Sequence, residues 1–257
     1  MTAAGNHGFH ARTSPEWWGG TGPHGGHLAA SVLRATMAEV GDDELRPRSF
    51  TIHFLRRAEP GELSITTETV NHGRSLATVT AEVRQGERLI AVSLAALGRD
   101  RSGPVLPDAT MPKWPDPTEL RGLSESARQL APPVMSHYEY RVALGRAFVG
   151  GPALTGGWVR PAEPRQLDDL LITAYCDVWP RAIFMTLDRP MPAPTVELTI
   201  NYLAGPLSND ADGTRDFCAM LFETPAARNG YFHEEGRIWS QDGVLLAACS
   251  QLGVLTA

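Results

Sequence analysis

The chain states one pattern twice, and this repetition restricts its architecture more than any single motif does. Residues 20–99 run from a Gly-rich helix start, Gly25-Gly26-His27-Leu28-Ala29-Ala30, through strand-like segments to Gly86-Glu87-Arg88-Leu89-Ile90-Ala91-Val92-Ser93-Leu94. Residues 137–256 keep that order and close on Asp242-Gly243-Val244-Leu245-Leu246-Ala247-Ala248-Cys249-Ser250. Each ending is a polar two-residue turn followed by an apolar run and small residues. A unit of roughly a hundred residues is too long for a solenoid repeat, so the pattern implies two tandem copies of one domain packed together. Function is then expected where the copies meet.

In the first copy, residues 26–40 have helical length with Leu28, Val32 and Ala35 on one face. The remaining faces carry mostly alanine, so a sheet can curl closely around this helix. Strands are expected over 48–55, 63–70, 75–84 and 88–97, joined by short turns such as Asn71-His72-Gly73. The second copy opens with strands over 137–144 and near 157–159, then a helix capped by Asp168 and running to about Trp179. Strands follow over 195–202, 216–224, 231–240 and 244–254. A long helix followed by an antiparallel meander is an α+β pattern in which the sheet wraps the helix. Between the copies, prolines 104, 107, 112, 115, 117, 132 and 133 oppose regular structure. The expected division is therefore 1–99, a Pro-rich linker over 100–133 with a short helix near 119–130, and 134–257.

With 257 residues, 42% hydrophobic and 20% charged, the chain can bury a sizeable core. No run of about 18 apolar residues occurs and the first ten residues lack a signal-peptide core, so a cytoplasmic protein without membrane insertion is expected. A net charge of −6 gives no electrostatic case for nucleic acid. Cys176, Cys218 and Cys249 are odd in number and set among apolar residues, which suits buried thiols better than disulfides or a metal site.

Three positions carry candidate chemistry. Asp177 shares a helix stripe with Leu170, Thr173 and Ala174; it is either turned outward to solvent or held inward, where a carboxylate must be bonded or employed. The segment 195–202 alternates strictly, with Thr195, Glu197, Thr199 and Asn201 on one face, a polar face that solvent or Asp177 could meet. Gln251 ends a face formed by Leu245, Ala247 and Cys249, and its amide meets either water or a site.

The chain resembles the double-hotdog acyl-CoA thioesterases of the bacterial type II, medium- and long-chain family over nearly its full length. The matching phrases are Gly25-Gly26-His27-Leu28-Ala29, Phe54-Leu55-Arg56-Arg57-Ala58-Glu59-Pro60-Gly61, Leu130-Ala131-Pro132-Pro133, Ala174-Tyr175-Cys176-Asp177, Thr195-Val196-Glu197-Leu198-Thr199, Ser240-Gln241-Asp242-Gly243 and Ser250-Gln251-Leu252-Gly253-Val254. The resemblance implies a tandem hotdog fold, two antiparallel sheets each wrapping a long central helix. It also implies hydrolysis of acyl-CoA thioesters, with Asp177, Thr195 and Gln251 holding the hydrolytic water and Asp177 as general base. Substrate contacts are expected from Gly25, Gly26, Arg56, Arg74 and Thr199, the helix-start N–H groups near Gly25-Gly26 being candidate oxyanion donors. No metal and no cofactor is implied beyond coenzyme A as part of the substrate, and a homo-oligomer is expected. The chain departs from the family where Glu197-Leu198 replaces an Asp-His pair.

Other readings are weaker. Gly20-Thr21-Gly22-Pro23-His24-Gly25 spells a dinucleotide fingerprint, but residues 12–18 do not read as the strand that motif needs. His24 and His27 suit helix-start packing better than a metal site, and no Gly-x-Ser-x-Gly elbow occurs. Trp17 and Trp18 line an acyl pocket or anchor the N-terminal arm. A non-hydrolytic acyl-thioester binder or a hotdog hydratase remains the alternative function. A hydratase would set Asp and His close together on one helix and the loop after it, and no histidine adjoins Asp177 in sequence.

Overall fold

The Ala-rich segment forms helix α1 (Gly25–Val40), capped by His24, whose Nδ1 accepts the His27 N–H at 3.3 Å, and stopped at Gly41, where φ is +63°. The structure is a computed structural model and describes residues 2–3, 8–20, 22–123, 125–205 and 217–256. Only the end of the helix expected near 119–130 is helical, as α2 (Glu125–Leu130). Helix α3 (Asp169–Val178) starts on Asp168, whose carboxylate accepts the Leu171 N–H at 2.7 Å, and ends as Trp179 turns extended before Pro180.

Among the described residues, twelve strands accompany these helices. The first six are β1 (Thr2–Ala3), β2 (Gly8–Thr13), β3 (Arg46–Phe54), β4 (Gly61–His72), β5 (Leu76–Gln85) and β6 (Arg88–Gly98). The second six are β7 (Tyr138–Leu144), β8 (Leu154–Pro161), β9 (Thr195–Tyr202), β10 (Cys218–Arg228), β11 (Tyr231–Trp239) and β12 (Leu245–Val254). Asp216, expected to open the strand before β11, lies outside the described residues, as does Thr21 of the Gly-rich phrase. Strand β2 takes in only the first two of residues 12–18; residues 14–18 form no strand, so none leads directly into the Gly-rich phrase. Arg12 and Thr13 end a strand paired with β4, and only Phe9 and Ala11 give it an apolar face, too weak a pattern to stand out.

All strands join one antiparallel sheet in the order β1-β2-β4-β5-β6-β3-β9-β12-β11-β10-β8-β7. The two sheets expected of a tandem, which can pair edge to edge into one longer sheet, are joined here through the β3–β9 seam, with Phe50 opposite Ile200 and Thr51 opposite Thr199. Helix α1 lies on β3 to β6, α3 lies on β9, β11 and β12, and the two helices pack against each other on one side of the sheet. One hydrophobic core runs across both halves: Val32, Leu33, Phe50 and Val79 share it with Ile172, Leu198, Ile200 and Leu246. α3, at 10 residues, is shorter than the 16-residue α1.

The Pro-rich segment crosses the opposite side of the sheet. Met111, Trp114 and Leu120 pack with Trp158, Phe217, Trp239 and Leu245, a cluster separate from the main core. Trp239 Nε1 donates to the Ala109 carbonyl at 2.8 Å and Trp158 Nε1 to that of Pro115 at 3.1 Å. The segment is thus a strap that satisfies two indoles while covering an apolar patch.

Candidate functional site

Asp177 sits in the last turn of α3 and points inward, its side chain 5% exposed. The outward orientation left open by the sequence is excluded by what the carboxylate meets. Its Oδ2 accepts the Gly26 N–H from the first turn of α1 at 2.9 Å, and its Oδ1 accepts from Arg181 Nη2 at 3.1 Å. The positive end of the α1 dipole thus faces a buried anion. This approach needs glycine. A Cβ at Gly25 would stand 2.8 Å from Asp177 Oδ2, and one at Gly26 2.7 Å from the Ala174 carbonyl.

Gln251 projects from β12 toward α3. Its Nε2 donates to the Cys176 carbonyl at 3.0 Å, which turns Oε1 toward Thr195 Oγ1, a donor at 3.1 Å. Thr195 reaches this side of the sheet through an irregularity. Leu252 pairs with Glu197 but Gly253 pairs with Thr195, so Val196 is an extra residue that reverses the alternation. Strict period-two reading had placed Thr195 with Thr199 and Glu197. Those two stay on the far side, where Thr199 Oγ1 bonds Thr51 Oγ1 at 2.8 Å and also donates to Glu197 Oε1.

The structure therefore brings Asp177, Thr195 and Gln251 together from α3, β9 and β12. It does not bring the other expected contacts to the same place in the same way. Gly25 and Gly26 adjoin Asp177, and Gly26 spends its N–H on that carboxylate. Arg56 is exposed and donates to the Leu89 carbonyl at 3.0 Å. Arg74 is exposed in the β4–β5 turn, where its carbonyl accepts from Arg99; Arg99 pairs with Asp42, just past the end of α1 opposite to Gly26.

Two members of the cluster escaped the sequence reading. Arg181 reaches Asp177, Thr195 and Gln251 together, and Glu234 stands 3.8 Å from Arg181 Nη1. Glu234 lies directly opposite Gln251 on the next strand and accepts the Ala182 N–H at 2.5 Å. Burial pushes its carboxyl up to about 7, against the opposing pull of Arg181 and the Ala182 N–H, while Asp177 adds to the rise. Its signal was present in the sequence: Phe232, Glu234 and Ile238 share the buried face of β11, and an acid there demands a partner.

A histidine also joins the cluster from α1. His24 Nε2 stands 3.5 Å from Asp177 Oδ2 and 2.9 Å from the Asp177 carbonyl. With Nδ1 accepting from His27, both ring nitrogens are engaged, and Nε2 carries the proton. Next to it, Trp17 is stacked between His27 at 4.2 Å and His137 at 3.8 Å, which ties the N-terminal arm to α1. Burial, then the neighbouring histidines and Arg165, holds His27 down at about 4. Cys176, Cys218 and Cys249 are buried and not joined in disulfides, and among the described residues no group of three His, Cys, Asp or Glu could hold a metal ion.

Comparison with known proteins assigns the chain to a class. A hot dog fold protein of unknown function from Alicyclobacillus acidocaldarius superposes with a TM-score of 0.90 at 29% identity, over 100% of this chain and 96% of that one. An acyl-CoA thioesterase II from Mycobacterium marinum gives 0.76 at 19% identity, over 97% and 93%. The fold is a hot dog fold. In sequence, residues 14–98 match the acyl-CoA thioesterase N-terminal domain and residues 108–255 the C-terminal domain. Mouse acyl-coenzyme A thioesterase 8 is 23% identical over 90% of this chain and 79% of its own length. The chain belongs to the acyl-CoA thioesterase family, a family of thioester-hydrolysing enzymes.

Proposed function

We propose that the protein hydrolyses acyl-CoA thioesters by general-base attack of water, on a tandem hotdog formed by residues 1–99 and 134–257 and joined by the 100–133 strap. Asp177 takes the proton of the water, and Thr195 and Gln251 orient it. Hydroxide equivalent then adds to the thioester carbonyl, and collapse of the adduct expels the CoA thiolate with no acyl-enzyme. Asp177 is held in place for this role by two bonds that it accepts, from the Gly26 N–H to Oδ2 and from Arg181 to Oδ1. Gly25 N–H, beside the reacting carboxylate, is the proposed donor to the oxyanion. The observation that carries the reading is the convergence of Asp177, Thr195 and Gln251 within one hydrogen-bonded cluster.

The test is release of free thiol from acyl-CoAs of graded chain length. Asp177→Asn keeps the fold and lowers turnover by about 10²- to 10⁴-fold. Binding of acyl-CoA without thiol release at any chain length would replace this reading with the non-hydrolytic binder.

A hydratase reading draws support from one fact that the sequence hid: His24 and Asp177 adjoin across the two helices at 3.5 Å. Both His24 nitrogens are nevertheless committed, one to the α1 cap and one to a backbone carbonyl, so the ring is held as a structural clamp. Hydration of an enoyl-CoA, followed by loss of its ultraviolet absorbance, would establish this second reading.

A further inference from the structure

Arg181 lies four residues past Asp177, just beyond α3, and its guanidinium stands among all three proposed water-holding groups. Nη2 donates to Asp177 Oδ1 at 3.1 Å and Thr195 Oγ1 at 2.6 Å; Nη1 donates to Gln251 Oε1 at 2.7 Å. The same Nη1 is 3.8 Å from Glu234 Oε1. Glu234 also fixes the backbone next to Arg181 through the Ala182 N–H. The side chains are 15% exposed for Arg181, 5% for Asp177 and 2% for Glu234.

A guanidinium has five N–H groups in a rigid fork. Three are spent on Asp177, Thr195 and Gln251, and the remaining Nη1 hydrogen faces Glu234. Little donor capacity is left for a substrate oxygen, so the side chain acts on its neighbours. It also bonds side chains from α3, β9 and β12 at once, the three elements that supply the site. A lysine could not do this, since one ammonium cannot span the fork's separate acceptors.

We propose that Arg181 is a positioning residue for thioester hydrolysis, its guanidinium binding Asp177, Thr195 and Gln251 into one constellation and Glu234 serving as its anchor. The proposal rests on the reading of the site given under Proposed function. It predicts a loss in turnover that geometry explains and substrate binding does not.

The experiment uses the full chain and an acyl-CoA that the parent cleaves. Arg181→Ala lowers kcat about 10- to 100-fold while KM stays near the parent value, the scale expected when reacting groups are misplaced by about 1 Å. Guanidinium chloride at millimolar concentration restores part of that loss, and methylammonium chloride does not. Arg181→Lys remains impaired because the charge returns without the fork. Should the alanine variant fail to fold, the lysine variant decides: a low kcat at unchanged KM supports the proposal, and parental kcat overturns it. The proposal also falls if Arg181→Ala equals or exceeds the parent, if only KM changes, or if a folded Arg181→Ala shows no rescue. A parent that releases no thiol from any acyl-CoA overturns the Proposed function and this inference with it; an active parent with an indifferent Arg181 overturns this inference alone.

Discussion

Burial gives Glu234 a pH signature that stability measurements can read. Its folded carboxyl titrates at about 7 against an ordinary value of 4.5, with Arg181 on one side and Asp177 beyond it. Because the folded state holds this proton more tightly than the unfolded chain, the proton favours folding below the ordinary value. That contribution is lost as pH rises through the interval up to about 7. Glu234→Gln is therefore expected to flatten the decline in unfolding free energy over that window, measured by urea denaturation at a series of pH values; parallel curves for parent and variant would refute the assignment. Gly26 tests the helix contact beside it. Gly26→Ala drives a methyl against the Ala174 carbonyl and Asp177 Cβ, 2.7 and 3.0 Å away, and neither is a flexible tip. A destabilisation of about 1–3 kcal/mol follows, with lower turnover because the Gly26 N–H moves off Asp177; unchanged denaturation and activity would show that α1 can retreat without consequence.

At the scale of elements, what the sequence revealed depended on how local the deciding interaction was. The span 195–202 matches β9 to the residue, and Asp168 caps α3 as expected, because alternation and capping are short-range. The direction in which Thr195 points was not legible. It depends on Val196 being extra relative to β12, and register with a strand some 55 positions away leaves no mark in β9 itself. Arg181 was hidden for a similar reason: an arginine after a helix end reads as solvated until β9 and β12 are brought beneath it. Asp177, Thr195 and Gln251 were singled out as a set by family resemblance, not by a pattern any one element displays. The strap offers a test at this scale. Trp114 rests on Gly156, where a Cβ would be 2.7 Å from its ring, and meets Trp158 edge-on with centroids 6.3 Å apart. Trp114→Ala is expected to cost about 2–3 kcal/mol in chemical denaturation and to expose the strap to proteolysis at Lys113 while leaving KM unchanged. A variant as stable and protease-resistant as the parent would mean that the strap merely lies on the sheet.

Across the whole molecule, the repeat that is visible in the sequence reappears as a strand order that reads alike from both edges to the β3–β9 seam. Each seam strand has one extra residue, Arg48 in β3 and Val196 in β9, so the halves can be matched position by position. Pro47 then corresponds to Thr195. Along the ladders, Ala95 corresponds to Gln251 and Val79 to Glu234. On the helices, Leu33 stands as far past its cap His24 as Asp177 stands past Asp168. Leu33, Pro47, Val79 and Ala95 are all buried. Thus at these four positions the first half has hydrocarbon where the second has Asp177, Thr195, Glu234 and Gln251, and a water placed there would find no side-chain acceptor among them. The two halves differ in what they bring: α1 supplies the N-terminal N–H and the His24 clamp, while the second half supplies the groups proposed to react. Under the proposed function this asymmetry predicts one catalytic site per chain, although the backbone is built twice. Isothermal titration with a thioether analogue of a cleaved acyl-CoA, which cannot be hydrolysed, should give one binding event per chain, and Asp177→Asn should lower hydrolysis by about 10²- to 10⁴-fold instead of halving it. A stoichiometry of two, with about half the turnover surviving in Asp177→Asn, would mean that the apolar first half holds a working site and that the match between the halves assigns the chemistry wrongly.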